Sequence, residues 1–453
     1  MELQAQQRLS SCSLVCKAWR AAAVAASNDQ QQQQQQQLRR DVLLALASLT
    51  QLTRLELDEQ LLPLAAAAPL GCLQQLQELQ LWGPVTSPGT LLRLPPSLTK
   101  FETAWAGKLE FSSSMCPNLA ALANLQHLDV RVVSGEDEEF PTPIGGLLPD
   151  FCSSMQQLRV LKLHGVLSHN ALPALARVLP ALTRLESLLI SNTDGELAPL
   201  PACEVASYSA LLPLSPHLTH LELSWGHDGA EALGGQDLLH PGCSQHLFAA
   251  GRQLPQLKQL VLGVPGNIWD VAGYGDDGTI GAEDYALCVE RVTPCLDEVS
   301  FHRLVSCCPR LEKLWVAGLV EPGVDMRPLL QLTALRKLCV GGEVVTDDVA
   351  CGVLCQLTRL RSLGVFQARG FSDRGLLALT GLQQLTRLAI GGCGISHGVS
   401  ADRDRKRGVQ LDRGEHLVLV QQEPLQPVWL QLLCRFLRAA SSAALITVMT
   451  ALP

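Results

Sequence analysis

Leucines and their aliphatic substitutes fall along this chain in a recurring phrase, L-x-x-L-x-x-L-x-L, with polar or small residues in many of the places between. Clear copies are Leu73-Leu76-Leu79-Leu81, Leu122-Leu125-Leu128-Val130, Met155-Leu158-Leu161-Leu163, Leu332-Leu335-Leu338-Val340 and Leu382-Leu385-Leu388-Ile390. Twelve copies occur, with the third anchor at positions 55, 79, 101, 128, 161, 188, 221, 260, 314, 338, 363 and 388. The last two anchors are two positions apart, the period of a strand with one buried face, so each L-x-L predicts a short β-strand. The residues ahead of it predict a helical or irregular return stroke. Ser372 to Leu379 shows one such stroke: Ser372 is placed to cap a short helix and Asp373 opens its first turn.

No phrase can bury its own leucines. Stacking the units makes one continuous core, which predicts an α/β solenoid rather than a single wide globule. Several steps between phrases lie within roughly 20 to 29 residues, and longer steps hold insertions. This register resembles the leucine-rich-repeat family from about Leu43 to Gly392. The resemblance implies a curved horseshoe with short parallel strands on its concave face and helices and irregular turns outside. One feature departs from the family, in which an Asn or Cys three places past the last anchor bonds the neighbouring coil. Here that place holds Gln60, Pro84, Thr193, Gly226, Pro265, Leu319, Glu343 and Ala368, and Cys393 alone matches. The side-chain ladder is therefore expected to be weak, closer to the ribonuclease-inhibitor-like or cysteine-containing classes.

Near the N-terminus, Ser13-Leu14-Val15-Cys16-Lys17-Ala18-Trp19-Arg20 resembles the C-terminal half of an F-box. The resemblance implies a helix in which Leu14, Val15 and Trp19, with Cys16 alongside, engage a Skp1-like adaptor. An amphipathic helix capping the solenoid is the alternative reading. The front half of the box, a Leu-Pro pair well upstream, finds no room after Met1. The expected organisation is an F-box-like segment over 1–28 and a linker over 29–40 carrying the glutamine tract Gln30 to Gln37. The solenoid of about twelve repeats follows over 41–393, then a charged linker over 394–415 and a C-terminal cap or tail over 416–453. The tail contains the helix-like stretch Trp429 to Ala440.

Composition narrows the partner. Hydrophobic residues make up 47% of the 453 and aromatic ones 4%, so the core must be aliphatic. A net charge of -8 argues against nucleic acid or an anionic membrane as the main partner. The start has no basic region followed by an apolar one, and the sixteen cysteines are scattered without a C-x-x-C pair. Both features favour a reducing, cytoplasmic setting, with nucleus or ciliary axoneme as further options. The uncharged run Ala439 to Leu452 is too short to span a bilayer, which needs about 20 residues.

Catalytic chemistry finds little footing. His217-Leu218-Thr219-His220 has H-x-x-H spacing, but no third ligand is recognisable nearby and two surface histidines are expected. Gly273-Tyr274-Gly275-Asp276-Asp277-Gly278 satisfies G-x-G-x-x-G, yet its aspartates would repel phosphate. Cys12 with Cys16, and Cys351 with Cys355, sit four apart without partners for a zinc site. The expectation is a non-enzymatic protein with no metal or cofactor. What remains is recognition of an unidentified protein by a monomer within a larger complex. Places between or just past the last anchors should face the hollow: Glu56, Trp82, Asp129, Lys162, His164, Glu222 and Trp315. Gln80, Glu102, Val261, Arg131 and Phe366 belong to the same set. Trp82 and Trp315 are the expected hot spots, since Trp and Arg dominate interface energetics. The F-box resemblance implies a substrate-recognition subunit of a Skp1-cullin-F-box ubiquitin ligase. A cytoskeletal or axonemal scaffold and a small-GTPase regulator are the alternatives.

Overall fold

The computed structural model describes residues 50–57, 70–82, 94–106, 121–133, 154–164, 179–192, 215, 217–225, 248, 253–263, 294, 296–395, 416–420 and 446–449. The segment with Leu14, Val15, Cys16 and Trp19, the glutamine tract, the Gly273 to Gly278 stretch, the charge run at 401–407 and the Trp429 to Ala440 stretch lie outside these residues. The chain divides into two compact units.

The first unit holds six parallel strands: β1 Arg54–Leu57, β2 Glu78–Leu81, β3 Lys100–Ala106, β4 His127–Val133, β5 Val160–His164 and β6 Ser187–Asn192. They pair in chain order from β1 to β6. The second unit begins with six more parallel strands: β7 His220–Trp225, β8 Gln259–Gly263, β9 Lys313–Trp315, β10 Lys337–Gly341, β11 Ser362–Phe366 and β12 Arg387–Gly391. These also pair in chain order. β13 His416–Val420 then lies antiparallel to β12, and β14 Ile446–Met449 runs parallel to β13. Each unit is thus an open, solenoid-like α/β stack of coils.

Cross-strand register follows the sequence phrase. Leu79, Phe101, Leu128, Leu161 and Leu188 stand in one line across β2 to β6. Leu221, Leu260, Leu314, Leu338, Leu363 and Leu388 do the same across β7 to β12. All are buried, and each contributes roughly 2 kcal/mol by leaving water. The first two anchors of the phrase shape the bend before the strand. Leu73 N–H donates to Leu70 O at 3.0 Å and Leu76 N–H to Leu73 O at 2.9 Å, a tight 3-10 geometry that turns the chain into β2.

The carbonyl just before the strand accepts two N–H groups from the following coil at β1 to β5 and β7 to β11. Gln77 and Glu78 donate to Thr53 O at 2.8 and 3.0 Å, and Arg361 and Ser362 donate to Arg336 O at 2.7 and 3.0 Å. The carbonyls of Gln77, Thr99, Gln126 and Arg159 in the first unit, and of Thr219, Lys258, Glu312 and Arg361 in the second, play the same part. This backbone rung ties coil to coil where the leucine-rich-repeat resemblance led to the expectation of only a weak side-chain ladder. Cys393, the one residue matching that ladder, has its Sγ 3.6 Å from Val365 O on the neighbouring coil. Burial pushes its thiol up to about 12.

Return strokes of the second unit include three helices: α1 Glu298–Cys307, α2 Asp347–Gly352 and α3 Asp373–Ala378. Ser372 caps α3 as its sequence indicates, accepting from Arg374 N–H at 3.2 Å. A second contact was not legible. Asp347, the first residue of α2, reaches to the next coil and accepts from Ser372 N–H at 2.7 Å, Ser372 Oγ–H at 2.6 Å and Gly375 N–H at 2.8 Å. One carboxylate therefore joins α2 to the opening turn of α3, where the helix amides favour negative charge. A Cβ on Gly375 would lie 2.7 Å from Asp347 Oδ1 and 2.8 Å from the Phe371 ring, so only glycine permits this approach.

Candidate functional site

Side chains alternate across a strand, so residues flanking the buried anchors share the opposite, outward face. In the first unit they form rows in register. Arg54, Glu78, Lys100 and His127 make one, and Glu56, Gln80, Glu102, Asp129 and Lys162 make the next. Arg131 stands opposite His164 one row further on.

Charges of opposite sign interlock across these rows. Glu102 Oε1 lies 3.0 Å from Lys100 Nζ and 3.3 Å from His127 Nε2, while Gln80 Nε2–H donates to Glu102 Oε2 at 2.6 Å. Asp129 is buried beneath its partners: Arg131 Nε at 3.4 Å, His164 Nε2 at 3.5 Å and Lys162 Nζ at 3.6 Å. The Arg131 guanidinium also lies 5.4 Å from the centre of the Trp82 ring, a cation–π stack that steadies both. Glu56, Trp82, Lys162 and His164 are half-buried, and with Asp129 they belong to one connected surface. The sequence reading passed over Lys100 and His127, although a step of two back from Glu102 and Asp129 would have placed them on the same face.

Burial, followed by the nearby Lys162 ammonium and then Lys100, holds His127 below its ordinary value against the opposing pull of Glu102 and Asp129. A histidine whose folded value is depressed gives stability that is complete above the unfolded value of about 6.5 and is lost as pH falls through the folded one. His127→Gln is expected to flatten part of the loss of thermal stability between about pH 7.5 and 5.5, measured by circular dichroism.

Glu102, His127 and Asp129 bring three donor atoms within 4.8 Å of one another and are the grouping of described residues that a metal could bridge. Imidazole with two carboxylates is a donor set suited to a divalent first-row ion. The geometry nevertheless places Lys100 and Lys162 ammonium groups 3.0 and 3.6 Å from the two carboxylates. A divalent ion would have to displace both, so the site as built favours internal charge pairing.

The outward face of the second unit differs. Glu222 is half-buried, with His220 Nε2 at 3.6 Å. The same row continues through Val261, Trp315, Cys339, Gly364 and Ala389. Val261, Trp315, Cys339 and Ala389 are buried, as is Phe366 just beyond. Trp315 has the outward register expected of it but only 2% exposure, so it is core rather than a surface anchor. Its register could be read from the sequence, whereas its cover depends on the tertiary fold. Lys313 stacks on its ring at 5.4 Å.

Of the H-x-x-H pair, His217 is exposed and His220 faces Glu222, so the two do not converge. Cys355 Sγ donates to Cys351 O at 2.8 Å within its own coil. Cys307 and Cys308 bring their sulfurs to 3.3 Å. Among the described residues no helix is long and apolar enough to cross a membrane. No family model matches the chain, and no curated protein matches it.

Proposed function

We propose that this chain is a leucine-rich-repeat solenoid that binds proteins without catalysing a reaction, and that it selects substrates for a Skp1-cullin-F-box ubiquitin ligase. The observation that carries the binding reading is the first unit's outward face, where charged side chains lie in register across successive strands and Trp82 stacks against Arg131. Repeated backbone rungs and the common leucine register support the repeat assignment. The ubiquitin link rests on the phrase Ser13 to Arg20, with Leu14, Val15, Cys16 and Trp19 as the adaptor-binding residues. The mechanism is proximity: holding a target beside a transferase raises its effective concentration with no covalent step by this chain. The cytoplasm is the proposed setting.

Co-purification with Skp1 tests the ligase reading. Capture by the wild-type chain and its loss in Leu14→Ala/Trp19→Ala are the expected results. Failure of capture even with an N-terminally extended chain, together with co-sedimentation on microtubules, would replace it with a cytoskeletal scaffold.

A further inference from the structure

We infer that the outward face of β3 to β5 docks an acidic segment of a partner protein, read by Lys100, Arg131 and Lys162. This rests on the protein-binding reading above and names the chemistry of the partner. The sequence suggests an acidic surface there, because Glu102 and Asp129 occupy its central row. Exposure reverses that impression. The Asp129 and Glu102 side chains are 3% and 12% exposed, whereas those of Arg131, Lys162 and Lys100 are 45%, 32% and 29% exposed. The carboxylates lie underneath and hold the cations upright, so a partner meets three positive groups first. In a chain of net charge -8, this local excess of accessible positive charge is a distinct feature.

Geometry favours an oxyanion. Arg131 contacts Asp129 through Nε, so its two Nη atoms can take a bidentate acceptor without breaking that contact. Its stack on Trp82 restricts the guanidinium and lowers the ordering cost of binding. Lys100 and Lys162 stand two strands apart and one row apart, about 9.6 Å across and about 6.6 Å along the strands, or about 12 Å between their backbones. In a polyproline-II segment, side chains three residues apart lie on one side about 9.3 Å from each other, a difference that the flexible four-carbon lysine stems can close. The matching pattern is two acidic residues separated by two others. A basic or apolar peptide would face cations without compensation, and a divalent cation would have to evict two ammonium groups.

The test uses the full chain and fluorescence anisotropy with a labelled peptide of about twelve residues in which Glu-x-x-Glu recurs. A Gln-x-x-Gln counterpart, a phosphoserine version and an oligouridine serve as comparisons. The Glu peptide should bind and weaken steeply between about 50 and 500 mM salt, while the Gln peptide should not bind. Arg131→Ala and Lys162→Ala should each weaken binding about tenfold with the circular dichroism spectrum unchanged. Arg131→Glu should turn the preference toward a Lys-x-x-Lys peptide. Tighter binding of the phosphoserine peptide would support the proposal and identify phosphate as the source of negative charge. Equal binding of the Glu and Gln peptides, no effect of either substitution in folded protein, or tighter binding of the oligouridine would overturn it. None of these readouts involves Skp1, so failure here is distinct from failure of the ligase reading.

Discussion

Trp315→Ala is expected to lower the unfolding free energy of the second unit by about 3 to 5 kcal/mol, the range for emptying a large buried aromatic site. The reason is position. Trp315 lies in the outward row between Val261 on β8 and Cys339 on β10, all three are buried, and Lys313 stacks on the ring. Removing the indole leaves a cavity among stiff neighbours and forfeits its dispersion contacts. Urea unfolding followed by circular dichroism measures the loss. Trp82→Ala is the matched control, because that ring is half-buried just past the end of β2 and stacks against Arg131. It should cost no more than about 1 kcal/mol. Equal effects of the two substitutions would show that Trp315 is a surface residue after all.

Asp347→Ala is expected to cost about 2 to 3 kcal/mol, because one carboxylate serves three donors of the adjacent coil, two of them backbone amides in the opening turn of α3. Gly375→Ala should give a loss of the same order by another route, since its methyl would meet Asp347 Oδ1 and the Phe371 ring. Asp347→Asn should lie between wild type and Ala, since a neutral amide keeps an acceptor and loses the charge. Burial raises the Asp347 carboxyl, but the Ser372 and Gly375 hydrogen bonds and the Arg374 charge outweigh it and hold it below the usual value. A depressed carboxyl gives stability that is present above the unfolded value of about 3.9 and is lost as pH falls through the folded one. The difference between wild type and Asp347→Ala should therefore be full at pH 7 and shrink below about pH 4. Denaturant titrations at pH 7 and pH 3 measure this, and a difference that persisted undiminished at pH 3 would assign the effect to packing instead.

Leu338 and Val340 show how much of the strand array could be read in advance. Their spacing of two positions, repeated in every copy of the phrase, is the strand period itself, and a slip of one place would expose the whole leucine face. Ser372 was equally legible, because a cap is a local arrangement of a side-chain oxygen and amides two or three residues on. Asp347 was not. Its partners are 25 and 28 residues away, and that distance closes only when coils stack. Exposure divides the outward residues in the same way. Register put Asp129, Trp82 and Trp315 on the outward side, but whether a neighbour covers them depends on the lengths and directions of side chains from other strands.

By itself the sequence determined which residues of the recurring phrase point into the core, where the twelve L-x-L strands lie and that Ser372 can open a helix, since these follow from spacing over a few residues. Only the tertiary structure decided that Asp129 and Glu102 lie beneath their cations, that Trp315 is interior and that Asp347 joins two coils. Burial and charge pairing are properties of what surrounds a group, and in a stack of coils those surroundings come from residues on a neighbouring coil.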